Sequence, residues 1–354
     1  MAPVIVALQR EPQRFVTQVV ATAQHREMLD HVLDVFGITP DVDLNLMRAG
    51  QQLGDLTAKL VVELETLWQQ RRPDLVLVQG DTTSSFAAAL VAYYRKITLG
   101  HVEAGLRSGR KYAPFPEEMN RRLVGALADM HFAPTERARQ HLLAEGVADR
   151  QITVTGNTGV DALLLTLERI RTTGFIPSEP CLASLDGRPM ILVTAHRRES
   201  FGEGLQNICE ALRTITRVRP DATLIYPVHP NPSVAGPVRE RLDGIANIHL
   251  TAPLDYPTFV YAMARADLIL TDSGGVQEEA PSLGKPVLVM REVTERTEAV
   301  DLGVAELVGT SPDRIVSRTL DLLNQPPASR PSTNPFGDGR AGERIVRTIA
   351  ERLA

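Results

Sequence analysis

Only two cysteines occur in the 354 residues, Cys181 and Cys209, and neither stands at a Cys-x-x-Cys or Cys/His spacing. Neither a disulfide scaffold nor a zinc knuckle is supported, no metal site is expected, and a reducing, cytoplasmic setting is the natural reading. Long apolar runs are missing too: no stretch approaches the roughly 18 to 20 residues needed to cross a bilayer, and no secretory leader is visible. Nor is there an excess of basic residues, since 38 Lys and Arg stand against 43 Asp and Glu, for a net charge of −5. A nucleic-acid surface would want a strong basic stripe, so neither nucleic acid nor membrane is expected as a partner. Any anionic ligand must be held locally, by a few placed groups.

What is present is alternation. Short apolar strands and helical stretches follow one another almost throughout, the pattern of an α/β chain with parallel sheets and helices on both faces. Strands are expected near Val16 to Ala21, Leu75 to Val78, Thr98 to Val102, Met130 to Ala133 and Ile152 to Thr155, and again near Met190 to Thr194, Thr223 to Val228, Ile248 to Thr251, Leu268 to Thr271 and Val287 to Met290. The length suits two Rossmann-like domains of about 150 residues each. The break is expected after the helix Gly159 to Arg171, in the Gly-, Pro- and Ser-bearing stretch Gly174 to Arg188. That gives a first domain over 1–172, completed by a last helix within 339–354, and a second over 173–338. The start is unusual: MAPVIVALQ already has helical character, so the first strand of the N-terminal domain is expected to be absent.

The stretch TDSGGVQEEAPSLGKPVLVMR, Thr271 to Arg291, joins a buried strand, a glycine turn, a helix start and a second strand. Gly274 and Gly275 are expected to let the backbone turn tightly and approach a ligand, with free N–H groups and the positive helix end aimed at a phosphate. Glu278 and Glu279 follow a turn later, where a carboxylate can accept the hydroxyls of a ribose. His196, Arg197 and Arg198 close the first strand of the second half, an arrangement that suits a diphosphate clamp and a proton-transfer group. His229 and Asn231 end another strand inside YPVHPNP, where a proline-shaped loop is the plainer alternative. Phe259 offers an apolar wall to a base, or simply a core aromatic.

In the first half, Asp81 follows the strand LVLV at the carboxyl end, where such sheets place ligands, with an N-cap of the next helix as its alternative role. In HVE, strand alternation sets His101 and Glu103 on one face, roughly 6 to 7 Å apart. Two ligands are too few for a metal. Glu117 and Glu118 occupy the first turn of a helix starting near Pro116, where the dipole favours a carboxylate. Asp81, Glu103 and Glu117 all follow strand ends of one domain.

Taken together, TAQHREML (22–29), QGDTTSS (79–85), GHVEAGLRSG (100–109), PEEMNR (116–121), TGNTGVDALL (155–164), TAHRRESFG (194–202), YPVHPNP (226–232), the TDSGG stretch and TERTEA (294–299) run in order nearly end to end. This set resembles the non-hydrolysing UDP-N-acetylglucosamine 2-epimerases. The resemblance implies a GT-B type fold with a cleft between two Rossmann-like domains, no cofactor, a homodimer, and UDP-GlcNAc, UDP-ManNAc and UDP as small-molecule partners. It implies anti elimination of UDP to 2-acetamidoglucal and re-addition with inverted C2, supplying envelope polysaccharide synthesis. It assigns Asp81, Glu103, Glu117 and His196 to catalysis. Ser273, Gly274, Gly275 and Glu279 fall to phosphates and ribose, Leu254 and Phe259 to uridine, and Arg296 to substrate, with Arg197, His229 and Asn231 nearby. Gln24 and His25 fall at an activator site. The family normally opens with a strand and a GTRPEAIK-like loop carrying an Arg and a Lys, and neither stands here. The expectation is therefore a chain lacking native N-terminal residues and poorly active without them. A hydrolysing 2-epimerase, a UDP-sugar glycosyltransferase on the same fold, and an inactive binding relic are the competing readings.

Overall fold

A computed structural model describes residues 1–22, 26–46, 50–183, 187–325 and 333–353, and only the backbone of 26–29 and 198. Contacts divide the chain into two units, Met1–Ala162 with Phe336–Ala354, and Leu163–Pro335.

In the first unit the strands are β1 (Val20–Ala21), β2 (Val42–Asp43), β3 (Leu75–Gln79), β4 (Thr98–Val102), β5 (Met130–Ala133) and β6 (Ile152–Val154). β3 to β6 form one parallel sheet in sequential order, while β1 and β2 pair separately. Helix Leu53–Gln70 shows why these segments hold: Leu56, Leu60, Leu64 and Trp68 recur every fourth residue and are its buried side chains. Helix Ala341–Leu353 packs Ile345, Val346 and Ile349 with Val4 and Leu8 of helix Ala2–Gln9. Its Gly342 amide donates to Asp161 Oδ1 at 2.7 Å. Among the described residues no strand precedes helix Ala2–Gln9.

The second unit carries β7 (Met190–Thr194), β8 (Thr223–Pro227), β9 (Ile248–Thr251), β10 (Leu268–Thr271), β11 (Val287–Val289) and β12 (Ala305–Leu307). All pairings are parallel, in the order β12-β11-β10-β7-β8-β9. β7 and β10 are buried throughout, as central parallel strands covered on both faces must be. Helix Glu203–Val218 contributes Leu205, Ile208, Leu212 and Ile215 to the core, each worth about 1.5–3 kcal/mol of burial. Cys209 is in that core, and burial pushes its thiol up to about 11. The strand order is the doubly wound Rossmann pattern, whose direction reverses between β7 and β10. Ligands bind outside the carboxyl ends of the strands at such a reversal.

Two details differ from the sequence reading. The expected strand Val16 to Ala21 shrinks to Val20–Ala21, because its partner β2 is only two residues long and Val16 is 85% exposed. β2 and β12 were not expected at all; two or three residues of irregular burial carry no readable alternation.

Candidate functional site

At the switch point the backbone is locked first. Asp272 N donates to Thr194 O at 3.0 Å and the hydroxyls of Thr194 and Thr271 lie 2.6 Å apart, tying the ends of β7 and β10. Asp272 is fully buried. Its Oδ2 accepts the amides of both His196 and Arg197 at 2.7 Å, which shapes the loop carrying them. The His196 ring stacks on His229 with centroids 5.4 Å apart. Burial lowers the basicity of His196, Asp272 works against that, and Arg197 and His229 add to the lowering. His229 Nδ1 accepts the Asn231 amide at 3.1 Å, and Asn231 Oδ1 caps helix Pro232–Leu242 through Ser233 N at 2.9 Å. His229 and Asn231 thus form one cap on the adjoining strand end. Arg197 is exposed.

Ser273 is the N-cap of helix Gly274–Glu279 and its side chain makes no capping bond. Gly274 and Gly275 are the first two helical residues, and neither adopts positive φ. The expected tight-turn role is therefore corrected: what Gly274 supplies is room. A Cβ there would lie 2.7 Å from Cζ of Arg296, whereas at Gly275 it would meet nothing within 4 Å. Arg296 is held over the turn by Glu278 Oε1 at 2.8 Å. Buried Arg291, after β11, pairs with Glu199 of the His196 loop and with Glu295 at 3.1 Å. The loops after β7, β10 and β11 are joined in this way. Burial opposes ionisation of Glu295, yet its hydrogen bonds with Arg291 bring it down to about 2. Glu279 is half-buried, and burial, then the charge of Glu278, push it up to about 8. Leu254 and Phe259 are half-buried at the head of helix Tyr256–Arg265, which Asp255 caps through Thr258 N at 2.9 Å.

In the first unit, Gly80 sits at φ +69° and a Cβ there would lie 3.3 Å from Glu103 Oε2, so Glu103 lies directly against the turn that presents Asp81. Glu103 itself takes φ +62°, a left-handed conformation that costs a non-glycine residue on the order of 1–3 kcal/mol. It has left the strand, which ends at Val102, so the expected shared face with His101 is corrected. His101 points inward, with Nε2 2.8 Å from Gly80 O, and burial lowers its pKa to about 3. The N-cap role for Asp81 is also overturned. Thr82 caps the helix through Ser85 N at 3.2 Å, and Asp81 is paired with Arg121.

Glu117 is half-buried at the start of helix Glu117–Leu127, and Glu118 is fully buried. Glu118 accepts the Ser108 amide at 2.9 Å, Arg121 at 3.2 Å and Arg122 at 3.1 Å. Burial alone would raise its pKa, but these donors outweigh it and hold the carboxyl below its ordinary value. Arg121 therefore links Asp81 to the helix that begins with Glu117, while Asn120 bonds Asp81 O at 2.9 Å. Sequence reasoning placed Glu118 only in the first turn of its helix and did not single out Arg121 or Asp272, whose partners Asp81 and His196 lie tens of residues away. Gln24 and His25 lie outside the described residues. Among the described residues, no group of three His, Cys, Asp or Glu side chains is arranged for a metal, and no helix is long and apolar enough to cross a membrane.

A doubly wound sheet with a guanidinium over the turn at its switch point, in one chain with a second parallel sheet ending in carboxylates, is the build of GT-B-like proteins of nucleotide-sugar chemistry. A family model described as UDP-N-acetylglucosamine 2-epimerase matches residues 6–350, and the chain belongs to that family. A probable UDP-N-acetylglucosamine 2-epimerase of Ralstonia solanacearum is 52% identical over 100% of this chain and 96% of its own. The Escherichia coli K12 UDP-N-acetylglucosamine 2-epimerase is 50% identical over 99% and 94%. The crystal structure of the Neisseria meningitidis enzyme bound to UDP-GlcNAc superposes with a TM-score of 0.90 at 43% identity, covering 99% of this chain and 96% of that one.

Proposed function

We propose that this protein interconverts UDP-GlcNAc and UDP-ManNAc without hydrolysing them. Two arrangements, each within its own unit, support the reading: Asp272-held His196 and Arg296 at the switch point of the second, and Asp81, Glu103 and Glu117 beyond the ends of β3 and β4 in the first. In this reading the second unit holds UDP: Ser273, Gly274, Gly275, Arg296 and Arg197 take the diphosphate, Glu279 the ribose, and Leu254 and Phe259 the uracil, with His229 and Asn231 shaping the rim. The first unit supplies the acids. One carboxylate removes the C2 proton as the C1–O bond to UDP breaks, giving 2-acetamidoglucal. A proton then returns to C2 from the opposite face while UDP adds back to C1. Carboxylates near C1 stabilise the developing positive charge, and His196 answers the negative charge on departing UDP.

The test is incubation with UDP-GlcNAc in D2O. UDP-ManNAc carrying deuterium at C2 is the expected product; release of free N-acetylmannosamine would establish the hydrolysing reaction instead. E117Q is expected to lower kcat by about 100-fold or more, within the usual worth of acid–base groups.

The protein is further proposed to be a cytoplasmic homodimer. Val62 on helix Leu53–Gln70 is exposed, as are Tyr93 and Tyr94 at the end of helix Thr83–Tyr94, where Glu65 and Arg95 join the two helices at 2.8 Å. Such a face favours association of two copies, and a monomer in sedimentation at micromolar protein would refute it.

A further inference from the structure

Asp272 does more than close the β7–β10 junction. Both amides of the His196 loop go to Oδ2, while Oδ1, buried and without a hydrogen-bond partner, lies 3.5 Å from Nδ1 of His196. A buried carboxylate oxygen is costly to leave unanswered, and the imidazole edge is the group placed to answer it. Of the neighbours that set the charge of His196, Arg197 and the stacked His229 oppose an imidazolium, and Asp272 alone favours it.

We propose that Asp272 is a positioning residue that fixes neutral His196 as the tautomer with its hydrogen on Nδ1, leaving Nε2 as the nitrogen that exchanges a proton at the diphosphate. This rests on the epimerase reading of the site. When the diphosphate arrives, Nε2 takes a proton from solvent and the imidazolium donates that N–H to the phosphate oxygen released as the C1–O bond breaks. On re-addition the proton returns to solvent. The Asp272 side chain stays against the Nδ1 edge of the ring throughout. An asparagine at this position keeps the shape and an oxygen for the two amides. It also turns an NH2 group toward Nδ1, so the neutral ring must carry its hydrogen on Nε2 instead, the tautomer inversion known from catalytic triads.

The experiment is 15N NMR of histidine-labelled full-length protein, with H196N used to assign the His196 signals. Wild type is expected to show the Nδ1–H tautomer at a pH where the ring is neutral; an Nε2–H tautomer overturns the proposal and needs no variant to fold. D272N is expected to show Nε2–H, with kcat lower by about 100-fold or more, within the worth of acid–base groups, and KM for UDP-GlcNAc changed less than about threefold. A D272N protein that keeps both the wild-type tautomer and kcat also overturns it. Absence of epimerisation by wild-type protein whose His196 is Nδ1–H would defeat the epimerase reading while leaving the positioning of the ring in place.

Discussion

Successive helical residues point about 100° apart, so Glu117 and Glu118, identical in chemistry, are sent to different surroundings. Glu118 turns into the protein, where Ser108, Arg121 and Arg122 consume its oxygens, and Glu117 is left half-buried at the head of the helix. E118A strands these donors and is expected to cost about 3–5 kcal/mol in denaturant unfolding, as breaking a buried ion pair does. E117Q is expected to change stability by less than about 1 kcal/mol while lowering turnover. Glu279 yields a pH prediction. Its carboxyl stays protonated in the folded protein up to about 8, against an ordinary value of 4.5, while the unfolded chain ionises as soon as pH passes the lower figure. Stability therefore falls as pH rises through that window. E279Q should remove the slope, melting above wild type at pH 8 and converging with it near pH 4.5. Equal slopes in both proteins would contradict the assignment. At this scale the sequence showed which residues end strands, because a polar residue after an apolar run is visible. It could not show pairing: Arg121 is 40 positions from Asp81, and Asp272 is 76 from His196.

At the scale of elements, most strands were legible because a buried parallel strand is a bounded apolar run, and β4, β5, β7, β9 and β10 form over the residues expected. β2 and β12 were hidden by their shortness, and the role of the glycine pair was hidden because it depends on where Arg296 comes to lie. G274A is therefore expected to displace the guanidinium of Arg296, a side-chain end that can give way without moving backbone, keeping the melting temperature but weakening UDP binding by roughly tenfold, equivalent to about 1.4 kcal/mol, in calorimetry. Gly342 is a different case. A Cβ there would stand 3.0 Å from the carbonyl oxygen of Pro3, a backbone atom that cannot rotate away. Helix Ala341–Leu353 must shift from helix Ala2–Gln9 to admit it, so G342A should destabilise the first unit by about 1–3 kcal/mol, in the range of overpacking. Thermal unfolding of the variant without loss of UDP affinity is the expected signature.

For the molecule as a whole, the alternation of strands and helices was enough to indicate two parallel α/β units, but the reversal of strand order between β7 and β10 is a property of pairing that no local pattern encodes. That reversal brings the His196 loop, 76 residues earlier in the chain, onto Asp272 beside the TDSGG turn. Ligand contacts are then expected to divide by unit, since the proposed UDP-binding groups follow β7, β9, β10 and β11 and the acids follow β3 and β4. UDP alone, lacking the sugar, should therefore act on one unit. At 100 times its Kd a ligand adds about 2.7 kcal/mol to the state that binds it. Hydrogen exchange is expected to slow by up to about 100-fold in 194–199, 272–279 and 291–296, while amides of β3 to β6 exchange at their ligand-free rates. UDP-GlcNAc should extend the protection to 80–82, 103–105 and 117–121, because only the sugar reaches for carboxylates. Equal protection of both units by UDP alone would mean that the diphosphate is shared between them, and the division of labour would fall.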